Sequence, residues 1–448
     1  MRYVLALLLL AGCRHARPSA DPLDAFLQRT DAARAALHIP GLSVAVVRDG
    51  AVVLERGLGT SSADTLYPIG SITKTFTATL MLQLAEEGRL DLDALVQPYV
   101  DWQVPPDVRI RHVLSHTSEG TPGTRFVYSS RFNWLDNVVE AATKENFRNL
   151  LVTRVIDAAG LKRTYPGEEH PDGHAEPHRI DGDQAVPSKL PPLGLHSSSG
   201  LSSTVGDLAR YSIALDEGKL LSPAARERAW TPADPRFPYG LGWYTQTVAG
   251  ERVVWHTSWW PDAFSGLLVK VPSRKLTLVL LANTDTLVSP QRGASNVLLY
   301  PIANDFLRTF LGDVGEPVLS DDDRLSLYAD STDPAKRKLA AEAGARLAAA
   351  FPNDLGIQFN LGMAYGNVRP TLRINGPDAA RALAVFDAII TSSAEKPKWM
   401  DAWSHYLVAE HIAPRDPARA KTLAQRALAT GVDTDGLKAR LETLLGGL

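Results

Sequence analysis

The sequence has little cysteine and no excess of charge of either sign. One cysteine occurs among 448 residues, so no disulfide can form within the chain, and stability must come from burial of a hydrophobic core. Lysine and arginine number 47 against 50 aspartates and glutamates, which gives a formal net charge of −3. A nucleic-acid-binding surface needs clustered basic charge. We therefore predict that nucleic acid is not a partner.

The first recognisable feature of the sequence is a short apolar run near the N-terminus. Residues 3–12 are apolar and follow a single arginine, which is the layout of a secretory signal and is too short to span a bilayer. The run ends in Leu10-Ala11-Gly12-Cys13, which resembles the bacterial lipobox. We predict a signal peptide over 1–13, lipidation at Cys13, a tether over 14–21, and an exported, membrane-anchored bacterial lipoprotein on the periplasmic or cell-surface side. The alternative is an ordinary signal peptide with an incidental cysteine.

The strand signals predict an antiparallel sheet in the first two thirds of the chain. Two β-branched segments meet at Asp49-Gly50, which is a hairpin signal. A second strand pair is predicted at 267–271 and 276–281, and loops rich in proline, glycine, aspartate and histidine at roughly 165–198. Strands at both ends with helices between them predict an α/β (α+β) domain, which we place at 22–315.

A separate helical domain is predicted over 321–448, because the composition shifts there to alanine, leucine, arginine and glutamate with helical periodicity. Leu361-Gly-Met-Ala-Tyr365, followed by Ala382-Leu-Ala-Val-Phe386 and Pro397, is similar to the tetratricopeptide pattern. A weaker second unit starts at Ala402. Such a domain is a candidate surface for a protein partner. The alternative is a plain helical bundle without a peptide groove.

The tetrad Ser71-Ile-Thr-Lys74 is the main candidate for chemistry, and apolar residues at three- and four-residue spacing predict a helix that begins at Ser71. On a helix, side chains at i and i+3 share one face, so the lysine can reach the serine hydroxyl. A serine needs an adjacent base, and a lysine can serve when burial lowers its pKa. The same pattern occurs at Ser393-Ala-Glu-Lys396, where Pro397 follows and no apolar helix continues. Spacing alone therefore carries little weight, and the surroundings decide.

Six motifs in order resemble the serine β-lactamase-related family, which includes class C β-lactamases, low-molecular-weight penicillin-binding proteins, D-aminopeptidases and esterases. They are Tyr67-Pro-Ile-Gly-Ser71-Ile-Thr-Lys74, Ile110-Arg-His-Val-Leu-Ser-His116-Thr-Ser, Tyr128-Ser-Ser130, Gly200-Leu-Ser-Ser-Thr-Val-Gly-Asp207-Leu-Ala, Tyr239-Gly-Leu-Gly-Trp243 and His256-Thr-Ser258. The resemblance implies the β-lactamase/transpeptidase-like fold, an antiparallel sheet flanked by helices plus a helical subdomain, with the active site in the cleft between them.

The resemblance also assigns roles to single residues. Ser71 is the nucleophile and Lys74 its base, while Tyr128 helps to move the proton. His256 stands where β-lactamases carry the lysine of Lys-Thr-Gly, and many esterase and peptidase relatives carry histidine there. The backbone N–H groups of Ser71 and Trp259 form the oxyanion hole. The resemblance implies no cofactor and no metal.

Two substitutions depart from the family pattern at positions that line the substrate site. Ser130 stands where the family has asparagine, so a hydroxyl replaces an amide that fixes Lys74 and the substrate carbonyl. Ser258 stands where the family has glycine, and its side chain crowds the strand lining the cleft. Because Ser71, Lys74 and Tyr128 remain, we expect an active enzyme.

Other histidines and tryptophans are weaker candidates. His170, His174 and His178 lie in a segment containing proline and glycine, so their spacing does not place them on one helix face, and we predict no metal site. His116 is predicted to be structural, in a turn after a helix. The tryptophans near His256 are expected in the core or, alternatively, as an aromatic wall for a hydrophobic acyl group: Trp255, Trp259 and Trp260.

These observations predict a serine hydrolase that forms an acyl-enzyme on Ser71 and acts on a small-molecule or peptide substrate. Histidine at position 256 lacks the fixed charge that holds a substrate carboxylate, which favours an esterase or D-amino-acid peptidase with at most weak β-lactamase activity. The alternative is a catalytically degenerate lipoprotein scaffold that binds a protein partner through the helical repeats.

Overall fold

A computed structural model describes residues 21–167, 172–190, 193–289, 293–369, 371–394, 396–434 and 436–448. The signal peptide, Cys13 and nearly all of the tether therefore lie outside the described residues, as does His170. Within those ranges, no helix is both long and apolar enough to cross a membrane.

The chain forms eleven named strands and fifteen α-helices within the described ranges. The strands are β1 (Gly41–Arg48), β2 (Ala51–Gly59), β3 (Tyr67–Pro68), β4 (Tyr165–Pro166), β5 (His178–Asp181), β6 (Gln184–Pro187), β7 (Leu201–Ser203), β8 (Tyr244–Val248), β9 (Glu251–Trp260), β10 (Phe264–Val271) and β11 (Leu276–Ala282). The helices are α1 (Pro22–Ala36), α2 (Thr73–Glu86), α3 (Ile110–Leu114), α4 (Leu135–Thr143), α5 (Phe147–Leu151), α6 (Val205–Asp216), α7 (Pro223–Trp230), α8 (Pro301–Leu311), α9 (Asp321–Tyr328), α10 (Pro334–Ala350), α11 (Leu355–Gly366), α12 (Ala379–Thr391), α13 (Lys398–Ile412), α14 (Pro417–Ala429) and α15 (Leu437–Gly446).

The main sheet has six strands in the order β2-β1-β11-β10-β9-β8, and every neighbouring pair is antiparallel. The predicted hairpin is confirmed: Asp49 and Gly50 both have positive φ, at 55° and 80°, as a tight turn matched to strand twist requires. The predicted pair at 267–271 and 276–281 is confirmed as β10 and β11. Because β1 pairs with β11, the first and last strands of the domain lie side by side.

Helices cover both faces of this sheet, so its central strands are buried on both sides. Alternate residues of a strand point to opposite faces. Val44 and Leu280 pack with Phe26 of α1 and Phe306 of α8, whereas Ala45 packs toward α2 and α6 on the other face. The predicted fold class is confirmed, and the site lies on the α2 face.

One loop prediction is wrong. The segment 165–198 was expected to lack regular structure, but β5 and β6 pair as a small antiparallel hairpin. Gly182 turns it with φ of 61°, a conformation that costs glycine little. The weak apolar alternation of these strands, which are half-buried or exposed, explains why the pattern gave no strand signal.

The described part of the C-terminal region consists of helices that pack on their neighbours in the chain. In the predicted tetratricopeptide-like unit, a Cβ added at Gly362 of α11 would lie 2.8 Å from the Phe386 ring of α12. The small residue therefore lets the two helices approach. The five helices from α11 to α15 share one hydrophobic core, which includes Phe386, Trp403 and Leu407. The tetratricopeptide assignment and the domain boundaries stay predictions.

Candidate active site

Ser71 lies in a tight turn at the entrance to α2. A 3-10 helix spans Gly70–Ile72, and the α-helix begins at Thr73, two residues later than predicted, because short 3-10 turns are frequent at helix N-termini. Gly70 has φ of 41°, and a Cβ there would lie 2.7 Å from the Ser258 Oγ. Glycine at this position therefore brings the serine turn directly against β9.

Lys74 extends from the first turn of α2 toward Ser71. Its Nζ donates hydrogen bonds to the Ser71 Oγ at 3.1 Å and to the Ser198 carbonyl oxygen at 3.1 Å. The residue is only 4% exposed, and this burial lowers the Lys74 pKa from 10.5 to about 7. The cause is loss of water around the ammonium form. The amine is therefore far more often neutral at pH 7 than that of an exposed lysine.

Tyr128 forms the opposite side of the site. Its ring centroid is 5.1 Å from the Lys74 Nζ, and the residue is 41% exposed. Burial against the rest of the protein raises the Tyr128 pKa, and a hydrogen bond with Ser71 lowers it. Because water reaches the open side, we expect a smaller rise than for fully buried Tyr239, whose pKa is also raised. Either way, the phenol of Tyr128 is protonated at neutral pH.

His116 holds the backbone on both sides of Tyr128. Its Nδ1 accepts the Ser129 N–H at 2.9 Å, and its carbonyl accepts the Val127 N–H at 2.7 Å. The imidazole stacks on the Tyr128 ring with centroids 4.2 Å apart, and burial lowers the His116 pKa well below 6.5. The turn was expected, and φ of 54° fits it. The contact with Tyr128 was missed, because the two residues are twelve positions apart without a periodic signal.

His256 lies on β9 and faces the same side of the sheet as Ser258. Its Nδ1 lies 2.7 Å from the Thr257 carbonyl oxygen and must donate there, so Nε2 accepts from the Tyr239 hydroxyl at 2.9 Å. Burial, and then the Lys74 charge, lower the His256 pKa to about 3. The side chain is therefore neutral, and both ring nitrogens are engaged within the protein. A catalytic role for His256 stays a prediction.

The two serines that depart from the family pattern occupy different surroundings. Ser130 is exposed and begins a 3-10 helix, while Lys74 takes the Ser198 carbonyl as its second partner. Ser198 in turn donates its hydroxyl to the Asn133 Oδ1. Ser258 is buried against Gly70. Ser198, Asn133 and Tyr239 were missed as site residues, although the triple serine at 197–199 and the Tyr239 motif were visible signals.

The two backbone segments that are predicted to form the oxyanion hole lie side by side where β9 passes the serine turn. A Cβ at Gly70 would lie 3.8 Å from the Trp259 backbone nitrogen, so the two predicted N–H donors come from adjacent segments. Trp255 stacks on Tyr244 within the core, as expected. Trp259 and Trp260 are half-buried, and the Trp259 indole donates to the Ser289 Oγ at 3.0 Å. An acyl-binding role for these two tryptophans stays a prediction.

The remaining histidines of the candidate metal segment bond to separate partners. His174 Nε2 lies 3.1 Å from the Ser202 Oγ, and His178 Nδ1 lies 2.9 Å from the Glu176 carbonyl oxygen. His170 lies outside the described residues.

Comparison with known proteins assigns the domain that carries this site. The model of the Beta-lactamase family matches residues 26–301. The chain belongs to the Beta-lactamase family. This family consists of serine hydrolases, and the predicted resemblance is confirmed.

Curated relatives of this β-lactamase-family protein are distant. An unguisins hydrolase of Aspergillus campestris is 25% identical over 59% of this chain and 62% of its own length. Protein flp of Staphylococcus aureus strain MW2 is 25% identical over 57% of this chain and 61% of its own length. The chain thus spans about three fifths of the length of the curated relatives it matches.

Solved structures support the fold. An octameric penicillin-binding protein homologue from Pyrococcus abyssi has a TM-score of 0.58 and 24% identity, covering 69% of this chain and 81% of that one. A D-stereospecific amidohydrolase from Streptomyces has a TM-score of 0.54 and 22% identity, covering 64% of this chain and 99% of that one. At this identity the similarity establishes the fold alone.

Proposed function

We propose that this protein is a serine hydrolase that forms an acyl-enzyme on Ser71 and acts on an ester, an amide or a D-amino-acid peptide. The observation that carries the proposal is the buried Lys74 amine, which has a pKa of about 7 and lies 3.1 Å from the Ser71 Oγ. A base is most effective when its pKa lies near the working pH.

In the proposed reaction, neutral Lys74 takes the Ser71 hydroxyl proton while Oγ bonds to the substrate carbonyl carbon. The N–H groups of Ser71 and Trp259 stabilise the oxyanion. The protonated lysine then returns a proton to the leaving oxygen or nitrogen through Tyr128 as the carbon–leaving-group bond breaks. In the second half, water attacks the acyl carbon and gives its proton to Lys74. The bond from this carbon to the Ser71 Oγ then breaks, and Lys74 returns the proton to Oγ.

The raised pKa of Tyr128 favours Lys74 over Tyr128 as the base. A protonated phenol cannot abstract a proton, but it can donate one while accepting another. Tyr128 is therefore assigned as a proton relay next to Ser71.

The substrate class follows from charge. His256 is neutral because burial lowers its pKa to about 3, so it supplies no fixed cation for a substrate carboxylate. An ester or D-amino-acid amide without such a carboxylate fits better than a typical β-lactam. We expect at most weak β-lactamase activity.

Intact mass spectrometry tests the acyl-enzyme directly. The protein is incubated with a panel of β-lactams, D-alanyl peptides and short-chain esters, and a mass increase equal to one acyl group is expected with at least one of them. A Ser71→Ala protein is the matched control. An unmodified mass with every compound would instead favour the non-catalytic scaffold, and an adduct on the Ser71→Ala protein would remove Ser71 as the nucleophile.

We also propose that the protein is a membrane-anchored lipoprotein acylated at Cys13, on the basis of the Leu10-Ala11-Gly12-Cys13 run. Because the chain has a single thiol, Cys13→Ser should abolish incorporation of labelled palmitate. Incorporation that persists in this variant would contradict the proposal.

A further inference from the structure

The loop that carries Tyr128 is anchored at one end by the C-terminal helices. Arg125, three residues before Tyr128, is 15% exposed in its side chain. One guanidinium nitrogen donates to the Asp354 Oδ2, and another donates to the Asp322 Oδ1 at 2.5 Å. The guanidinium carbon also lies 5.4 Å from the centroid of the Phe351 ring. Three residues of the helical region thus surround one side chain of the catalytic loop.

The two carboxylates are themselves fixed by the helices they begin. Asp354 is the N-cap of α11, where its Oδ1 accepts the Ile357 N–H at 2.9 Å and leaves Oδ2 for Arg125. Asp322 lies in the first turn of α9. A planar guanidinium can bind both at once, which a lysine ammonium does less well.

The loop between helix α3 and Tyr128 contains two glycines in the left-handed region of backbone conformation. Gly120 and Gly123 both have positive φ, at 59° and 82°, and glycines leave a loop with more accessible conformations than other residues do. From the catalytic domain, His116 holds the backbone at Val127 and Ser129. Arg125 supplies a further attachment, which joins the loop to the helical region.

Further contacts join Tyr128 to Tyr244 and α9 to Ser295. The Tyr244 ring is parallel to the Tyr128 ring with centroids 6.2 Å apart. Burial is the main cause of the raised Tyr244 pKa, and the charges of Tyr128, Tyr300 and Asp323 add to it. Asp323 is buried and accepts hydrogen bonds from the Ser295 N–H and hydroxyl at 2.7 and 2.9 Å. Asp323 therefore gives α9 an attachment outside the helical region, at Ser295.

We propose that the C-terminal helical region is a positioning element of the active site, in which Asp354 and Asp322 hold Arg125 so that Tyr128 keeps its place beside Ser71 and Lys74. This inference rests on the proposed function. Arg125, Asp354 and Asp322 are positioning residues that act through the loop backbone. The role differs from that of a docking surface for a separate protein.

The first test measures the reaction of the full chain with a fluorophosphonate in excess. The final labelled fraction reports how many molecules are folded and competent, whereas the limiting rate constant at saturating reagent reports the geometry of the site. For Arg125→Gln, we expect the rate constant to fall roughly ten- to hundredfold with an unchanged final fraction, because displacements on the order of 1 Å have such costs. A loss confined to the final fraction would show a merely structural role and overturn the inference.

Matched variants sharpen this test. Asp354→Asn keeps a good helix N-cap while removing the charge, and should slow labelling in the same way. Arg125→Lys keeps the charge but not the two-carboxylate geometry, and should be intermediate. Arg346→Gln breaks an exposed ion pair with Asp321 in the same helical region and should label at the rate of the unmodified protein. Equal rates for Arg125→Gln and Arg346→Gln would overturn the inference.

Hydrogen exchange separates this inference from the proposed function, because it needs no reactive serine. In Arg125→Gln, the amides of Val127 and Ser129 should exchange faster than in Arg346→Gln, since their hydrogen bonds to His116 would open more often. If the unmodified protein never labels, the proposed function fails, and faster exchange still supports the anchor. Unchanged exchange at both amides overturns the anchor whatever the activity.

Discussion

The chain contains the pattern Ser-x-x-Lys twice, and the two copies have different surroundings. In the first copy, the Lys74 Nζ bonds to the Ser71 hydroxyl and is almost completely buried. In the second, the Lys396 Nζ bonds to the carbonyl oxygens of Ile389 and Ser392, at 3.1 and 3.0 Å. Ser393 is exposed.

Local structure explains the difference. Ser71 and Lys74 lie on consecutive turns entering α2, so their side chains share a face. Ser393 follows the end of α12, and Pro397 is the N-cap of α13, so no helix aligns Ser393 with Lys396. Lys396 instead caps the C-terminal carbonyls of α12, where a cation is favourable, and it also lies 3.7 Å from the Asp401 carboxylate.

The comparison teaches that burial among neutral partners lowers the pKa of a lysine toward the range in which it can act as a base. Lys74 is bonded to a hydroxyl and a carbonyl, and burial lowers its pKa to about 7. Carbonyls together with a carboxylate, as around Lys396, stabilise a charged ammonium group. The pattern identifies candidates, and the environment selects between them.

The largest expected effect is the difference in labelling between substitution of Ser71 and substitution of Ser393. Ser71→Ala should lose at least roughly a thousandfold in covalent labelling by a fluorophosphonate or a fluorescent penicillin, because the attacking oxygen is gone. Ser393→Ala should label like the unmodified protein. Labelling that disappears in Ser393→Ala and persists in Ser71→Ala would reverse the assignment.

Much of the fold could be predicted because its signals are local. The Asp49-Gly50 turn and the β-branched strands on either side of it identify a hairpin from neighbouring residues alone, and the same holds for β10 and β11. The entry to α2 was placed two residues early, since periodicity does not distinguish a 3-10 turn from the first turn of an α-helix.

The site was predictable only where family motifs carry it. Ser71, Lys74 and Tyr128 were identified, and the structure brings them together. The Ser198 carbonyl was not identified, because any residue type supplies a carbonyl. The contact of Arg125 with Asp354 joins residues 229 positions apart, and each of them looks like an ordinary surface charge in the sequence. Tertiary packing of this kind leaves no periodic signal.

The next largest expected effect is the difference in labelling rate between substitution of Lys74 and substitution of Lys396. Lys74→Met should lower the labelling rate constant roughly a thousandfold, because general-base catalysis contributes about 10²–10⁴. Lys396→Met should leave the rate constant unchanged. A Lys74→Met protein that retained most of its rate would transfer the role of base to Tyr128.

Stability should respond to the same two substitutions in opposite directions. Between pH 7 and 10.5 the unfolded state binds more protons than the folded state at Lys74, so the free energy of unfolding of the unmodified protein should rise with pH, by about 1.4 kcal/mol per unit. Lys74→Met removes this penalty and should be the more stable protein at pH 7, with an advantage that shrinks toward pH 10. Lys396→Met loses its helix-capping bonds and should be less stable by about 1 kcal/mol.

Chemical denaturation at pH 7, 8 and 9 measures these differences. A constant difference between Lys74→Met and the unmodified protein over this range would contradict the lowered Lys74 pKa.

The smallest effect is a change of rate with pH, and it assigns the base to one residue. Because Lys74 must be neutral to accept the Ser71 proton, the labelling rate constant should fall about tenfold per unit below pH 7 and level off above it. His256 titrates near pH 3, and His116 well below 6.5, so neither should add a break between pH 6 and 9. Lys396→Met should keep the midpoint near 7, which makes it the matched control. A midpoint that moved in Lys396→Met, or a profile that stayed flat from pH 5 to 9 in the unmodified protein, would contradict the assignment of Lys74 as the titrating base.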